Sequence, residues 1–261
     1  MKSISPLRAS AALVTAVLML ALTQAAWAQS ALTGTWSITS SSGDAASVQF
    51  GVRYDSGDEH SDWSHDVPLS AFSGLTRDQL EAPSTNVHFD VVRDAGTLHC
   101  TGYAAHGSAG GTFTYAPSSS FADALSTRGI SRPTGEEQLR MTMASVTIAF
   151  VDMLRRNGDT ITQSQDLIRI LNHGVDEQYV NALASLGYKN LGASELVRLR
   201  DHGVNATYIQ GLQSFGYHPT VEELVRLRDH GVTLDFVKHL RDRGYNATVE
   251  QLIRLRDSGI S

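Results

Sequence analysis

Cysteine is almost missing from this chain. Cys100 is the only one in 261 residues, so no internal disulfide can form and stability must come from packing. It lies in an alternating strand pattern and reads as a buried, inert thiol rather than a nucleophile. Basic residues are scarce in one region: residues 29–118 hold three Arg, no Lys and ten Asp or Glu, a balance of −7, while residues 119–261 hold sixteen basic and seventeen acidic residues. Neither half is basic, which makes nucleic acid and anionic membrane surfaces poor candidates as partners. There is no His-Glu-x-x-His, no EF-hand spacing and no P-loop ending in Lys-Ser/Thr, so the common zinc-peptidase, calcium and nucleotide signatures are missing. What remains is an ordinary composition, 41% hydrophobic and 18% charged, on a chain long enough for two modest domains.

Residues 1–28 stand apart. Lys2 and Arg8 precede an apolar run from Ala11 to Leu22, then Ala26-Trp27-Ala28 before Gln29. A basic start, a short greasy middle and small residues at −3 and −1 define a secretory signal peptide, cleaved to leave Gln29 first. The apolar run falls short of the ~20 residues a bilayer needs. The expected location is therefore periplasmic or secreted, with no stable membrane insertion after cleavage.

Residues 29–118 read as an antiparallel β domain, either a small barrel or a sandwich. Val48, Phe50, Val52 and Tyr54 share one face, as do Trp63, His65, Val67 and Leu69, and again Val87, Phe89 and Val91. Period two is the strand signal. Asp94-Ala95-Gly96 predicts a hairpin, and Thr76 caps a helical turn over Leu75–Leu80. Asp58 to Asp66 packs two His and four acids into nine residues; it reads as a solvated acidic loop leading into a strand, with His60 and His65 as weak metal candidates. His106 to Gly111 precedes a strand rather than a helix, which favours a flexible hairpin turn over a phosphate cradle.

Residues 119–261 repeat. Phe121, Phe150, Tyr179, Tyr208 and Phe236 recur at intervals of 29, 29, 29 and 28, and Gly129, Gly158, Gly187, Gly216 and Gly244 keep the same phase. This predicts five helix-turn-helix units, the last truncated. The fold class is thus α+β, with a β domain followed by an all-α repeat array. Capping boxes at Thr220–Glu223 and Thr248–Gln251, and stop glycines followed by an apolar residue, limit each helix to two or three turns. Helices that short must bury their stripes against neighbours.

The repeated arginines are the candidate partner-binding residues: Arg198, Arg226 and Arg254 in one row, Arg200, Arg228 and Arg256 in another. Stacking would align guanidinium groups into ladders that hold carboxylates or phosphates. Glu222, one turn before Arg226, and Asp201, Asp229 and Asp257 beside the second row point instead to ion pairing within the chain. His173, His202 and His230 precede stop glycines, where positive charge suits the helix dipole. They lie about 10 Å apart, too far for one zinc ion, whose ligands sit at about 2 Å.

The runs His65-Asp66-Val67-Pro68-Leu69, Ser73-Gly74-Leu75-Thr76, Val92 to Thr97 and Gly107 to Tyr115, leading into units that end Leu-Arg-Asp-His-Gly-Val, resemble a secreted module of bacterial proteins. It occurs alone or appended to membrane zinc peptidases of the β-lactam-sensor class. The resemblance implies an exported β-plus-repeat protein without the peptidase's zinc or catalytic residues. Together these features lead to an exported, non-enzymatic interaction module whose helical repeats present a surface to a protein or peptide partner, with no cofactor and no catalytic residue. Two alternatives stand beside it: a periplasmic ligand- or metal-binding protein or enzyme using His60, His65, His88 and His106 of the β domain, and a sensor component acting with a membrane peptidase.

Overall fold

A computed structural model describes residues 32–40, 46–56 and 59–259. The expected signal peptide and Asp58 lie outside the described residues. Six strands come first: β1 (Leu32–Ser40), β2 (Ser47–Ser56), β3 (Glu59–Pro68), β4 (Thr85–Arg93), β5 (Gly96–Ala105) and β6 (Ser108–Pro117), with the short helix α1 (Arg77–Glu81) between β3 and β4. They form one antiparallel sheet in the order β3-β2-β1-β6-β5-β4. The β domain followed by helices is therefore present, as a single open layer rather than a closed barrel or a two-sheet sandwich.

The sheet is strongly curled. Trp36 on β1 and Phe89 on β4, three strands apart in the order, meet edge to face at 4.8 Å. Phe72, in the β3–β4 connection, touches both Phe50 at 5.1 Å and Phe89 at 5.4 Å. Glycines permit this. Trp36 pairs with Gly111, which pairs with Gly102, and the indole lies against Gly102 while its Nε1 donates to the Thr112 and Thr101 carbonyls at 3.0 and 3.2 Å. A Cβ on Gly102 would come within 2.7 Å of the indole. Gly111 instead lets β6 approach β5 closely, since a Cβ there would come within 2.0 Å of the Thr101 carbonyl oxygen, and the turn before it is the two-residue His106-Gly107, both at positive φ (50° and 83°), as a tight hairpin requires.

The strand expected from Trp63 onward starts earlier, at Glu59, so most of the stretch expected to be a loop before it is the first part of β3. Its backbone pairs with β2 from Ser47↔Pro68 to Ser56↔Glu59, and ladder hydrogen bonds override a polar composition when the strand lies at a sheet edge. β3 pairs with no other described strand.

Ten nine-residue helices follow: α2 (Ser119–Thr127), α3 (Gly135–Met143), α4 (Ile148–Arg156), α5 (Ser164–Asn172), α6 (Glu177–Ser185), α7 (Ala193–Asp201), α8 (Ala206–Ser214), α9 (Val221–Asp229), α10 (Leu234–Asp242) and α11 (Val249–Asp257). Even-numbered helices stack in one row and odd-numbered ones in another. The fifth pair, α10 and α11, has both helices at full length. The predicted stripes are the core: Phe236, Val237 and Leu240 of α10 are buried, as are Tyr179, Val180 and Leu183 of α6. Helices α2 to α10 each end in a Schellman turn. After α9, for example, Val232 N–H donates to the Leu227 carbonyl at 2.9 Å and Gly231 N–H to Arg228 at 3.0 Å.

Sheet and array share their cores. Leu139 and Met143 of α3 belong to the sheet core, and Ala95 to the helical one. The Tyr115 hydroxyl donates to the Ala95 carbonyl at 2.8 Å and meets Thr142 Oγ1 at 2.9 Å. Asp94 Oδ2 accepts from Ile148 N–H at 3.0 Å, at the start of α4.

Two predictions follow from burial. Cys100 is buried and desolvation pushes its thiol up to about 12, so a thiol-disulfide reagent at pH 8 should label it only after denaturation. Asp159 is 7% exposed; one oxygen accepts from Leu191 N–H at 2.9 Å and the other has no partner. Burial raises its carboxyl above the ordinary value despite that bond. A raised acid stabilises the fold at low pH and loses that contribution as pH rises through its folded value. Asp159→Asn should therefore raise the melting temperature at pH 8 by about 2 °C or more, and the gain should shrink toward pH 4.

Candidate functional site

The arginine rows form as expected, but their partners lie in neighbouring repeats. Arg198 pairs with Glu222 of the next repeat through both nitrogens, at 2.5 and 3.1 Å, and Arg226 pairs with Glu250 at 2.9 Å. The expected contact of Glu222 with Arg226 in its own helix is replaced, because stacked parallel helices bring the previous repeat's arginine within direct reach. These pairs hold the Glu222 and Glu250 carboxyls below their usual range. Arg254, in the last repeat, reaches Glu250 only at 3.4 Å and is 75% exposed.

The second row turns inward. Arg200 and Arg228 each lie 4.9 Å from the ring centre of Tyr179 and Tyr208, and Arg256 lies 5.5 Å from that of Phe236. The tyrosine hydroxyls, kept neutral by burial that raises them to about 12, donate to Val204 and Val232 carbonyls at 2.9 and 2.7 Å. Asp201, Asp229 and Asp257, expected beside this row, are taken by His173, His202 and His230 of the preceding repeats. Both rows therefore tie repeat to repeat.

A cleft lies elsewhere, where the unclosed seam of the sheet meets the array. One cavity of about 240 Å³ is lined by Phe50, Trp63, His65 and Asp66 from β2 and β3, by Val91 and Arg93 from β4, and by Thr142, Met143 and Ser145. A second of about 440 Å³ shares Trp63, His65 and Met143 and runs on to Leu171, Asn172 and Gly174. Trp63 and His65 meet edge to face at 4.8 Å. The mixture of aromatic walls with a few polar groups, at a junction of two units, is the usual make-up of a binding cleft.

The repeat itself explains the opening. Arg200 packs across Gly174, and Arg228 across Gly203, at 3.4 and 3.1 Å from where a Cβ would stand. One repeat earlier the corresponding residues are Leu171 and Ser145. The shorter Leu171 leaves uncovered the space an arginine would fill.

Of the metal candidates, His65 lines the cleft, and the His60 side chain lies outside the described residues. His88 on β4 and His106 in the β5–β6 turn line neither cavity. Among the described residues no three His, Cys, Asp or Glu gather into a metal site. Trp63, Arg93 and Ser145 were not singled out from sequence. Two signals pointed to the last two: Arg93 is one of three basic residues in the acidic half, and Ser145 interrupts the series of stop glycines at 174, 203, 231 and 259 when it is extended back by 29. Set against known proteins, the chain matches no family model, no curated protein and no solved structure.

The two arginine rows separate in a stability measurement. Arg228→Ala, which removes the cover from Tyr208, should lower the melting temperature by about 2–4 °C, from a loss near 1 kcal/mol. Arg254→Ala should change it by less than about 2 °C.

Proposed function

We propose that this protein is an exported binding module that takes an extended protein segment in the cleft between β3 and the helical array. The observation that carries the reading is the continuous cleft beside a free edge strand. β3 pairs only with β2 among the described strands, and its Trp63 and His65 form a wall shared by both cavities. An extended chain gains main-chain hydrogen bonds from such an edge and specificity from side chains that enter the adjacent pockets. The array acts as the rigid wall, with Arg198, Arg226, Arg200 and Arg228 spent on inter-repeat contacts. Export is supported by the basic start, the apolar run and Ala26-Trp27-Ala28 of residues 1–28. No helix among the described residues is long and apolar enough to cross a membrane.

A peptide-display screen with the chain from Gln29 onward tests this. Enriched peptides should bind in an extended form and lose at least about tenfold in affinity with His65→Ala or Trp63→Ala, while Arg226→Ala with Arg254→Ala leaves binding unchanged. Enrichment of nothing, or binding that depends on the arginine pair and not on the cleft, would overturn the reading.

A further inference from the structure

The cleft contains one residue that breaks the rule of the array. Nine of the ten repeat helices are followed by a glycine in the left-handed region, with φ between 67° and 96°. The tenth, α3, is followed by Ser145 at φ 56° in the same Schellman turn, with Ser145 N–H donating to the Thr142 carbonyl at 3.2 Å and Val146 N–H to Met141 at 2.9 Å. An L side chain is strained there and glycine is not. The repeat places glycine at every other such turn, so the strain at this one is tied to what its side chain does. Ser145 is exposed, lines the cleft, and its hydroxyl has no hydrogen-bond partner among the described residues.

Arg93 lines the same cavity. It is half-buried, its guanidinium donates only to the carbonyl of the adjacent Val92, at 2.9 Å, and no described carboxylate lies within ion-pair distance. Its neighbour Asp94 is already engaged by the start of α4. Arg53, another arginine of the acidic half, is taken by Asp62 at 2.7 Å. The other titratable groups on the cavity are His65 and Asp66, both exposed on β3.

Resting on the binding role proposed above, we infer that the cleft seats an acidic side chain of the bound segment, with Arg93 and the Ser145 hydroxyl as its two donors. A guanidinium and a hydroxyl supply charge-assisted hydrogen bonds to the oxygens of one carboxylate. The acid belongs to an internal residue and not to a chain end, because the cavity runs on past Trp63 and Met143 to Leu171 and Gly174, giving the segment a way in and a way out.

The test is an array of synthetic octapeptides blocked at both ends, each made with Glu, Gln or Lys at every position in turn, with a parallel set carrying a free C-terminus. The wild-type protein should prefer Glu to Gln at one position by about tenfold or more. Arg93→Glu should reverse this preference toward Lys. Ser145→Gly should weaken Glu binding severalfold yet raise the melting temperature by about 2–4 °C, because it relieves the left-handed strain. A purely structural serine would not give that opposition. Octapeptides bound equally well with Glu and Gln, and unaffected by Arg93→Glu, would sink the carboxylate seat while leaving the binding role standing. Preference for the free C-terminus over an internal Glu would sink it as well. Octapeptides of the array that bind nowhere would sink both.

Discussion

Every helix of the array is nine residues long, and a helix of two and a half turns does not persist alone in water. The constraint on which the structure depends is therefore the turn that ends each one. A left-handed residue donates to one carbonyl of the last turn, and the residue after it folds back to donate to another. That second residue is apolar and buried at Ile130, Val146, Val175, Val204 and Val232. One local motif thus closes a helix, reverses the chain and delivers a core residue. The remaining stability comes from the next repeat, through aromatic rings covered by arginines, tyrosine hydroxyls on the following valine carbonyl, and His–Asp and Arg–Glu pairs.

The first pair of helices meets the sheet instead of a preceding repeat. Tyr115 reaches across to Thr142 of α3, Leu139 and Met143 enter the sheet core, and Asp94 extends the junction to Ile148 at the start of α4. Because a curled sheet does not present the same surface as a helical repeat, the repeating contacts fail there. Leu171 stands where arginine stands later, Ser145 where glycine does, and the seam between β3 and β4 stays unclosed. The cleft is the consequence of joining two architectures. Both of these departures from the repeat, Ser145 and Leu171, line it, as expected when function overrides local consistency.

Features governed by neighbours in the chain were legible in the sequence. The alternation of Val48, Phe50, Val52 and Tyr54, the caps at Thr76, Thr220 and Thr248, and the stop glycines all appear where their patterns put them. Features set by segments far apart were not. Glu222 lies one helical turn from Arg226 in sequence, yet stacking brings it to Arg198, 24 residues away. The acidic run of β3 resembles a loop until β2 is there to pair with it. The cleft draws on β2, β3, β4 and the ends of two helices, and no local pattern encodes that convergence. Ser145 is intermediate, since a missing glycine becomes visible only when the repeat is extended back one unit.

The central claim is that the edge of β3 and the cleft beside it receive a partner, while the array supports that surface. Amide hydrogen exchange of the protein with and without a bound peptide tests this most directly. Slowed exchange concentrated between Trp63 and Val67 and around Ser145, with the helices from α6 to α11 unchanged, is the predicted result. Slowed exchange along α7, α9 and α11, with β3 unaltered, would contradict the account and return function to the arginine rows.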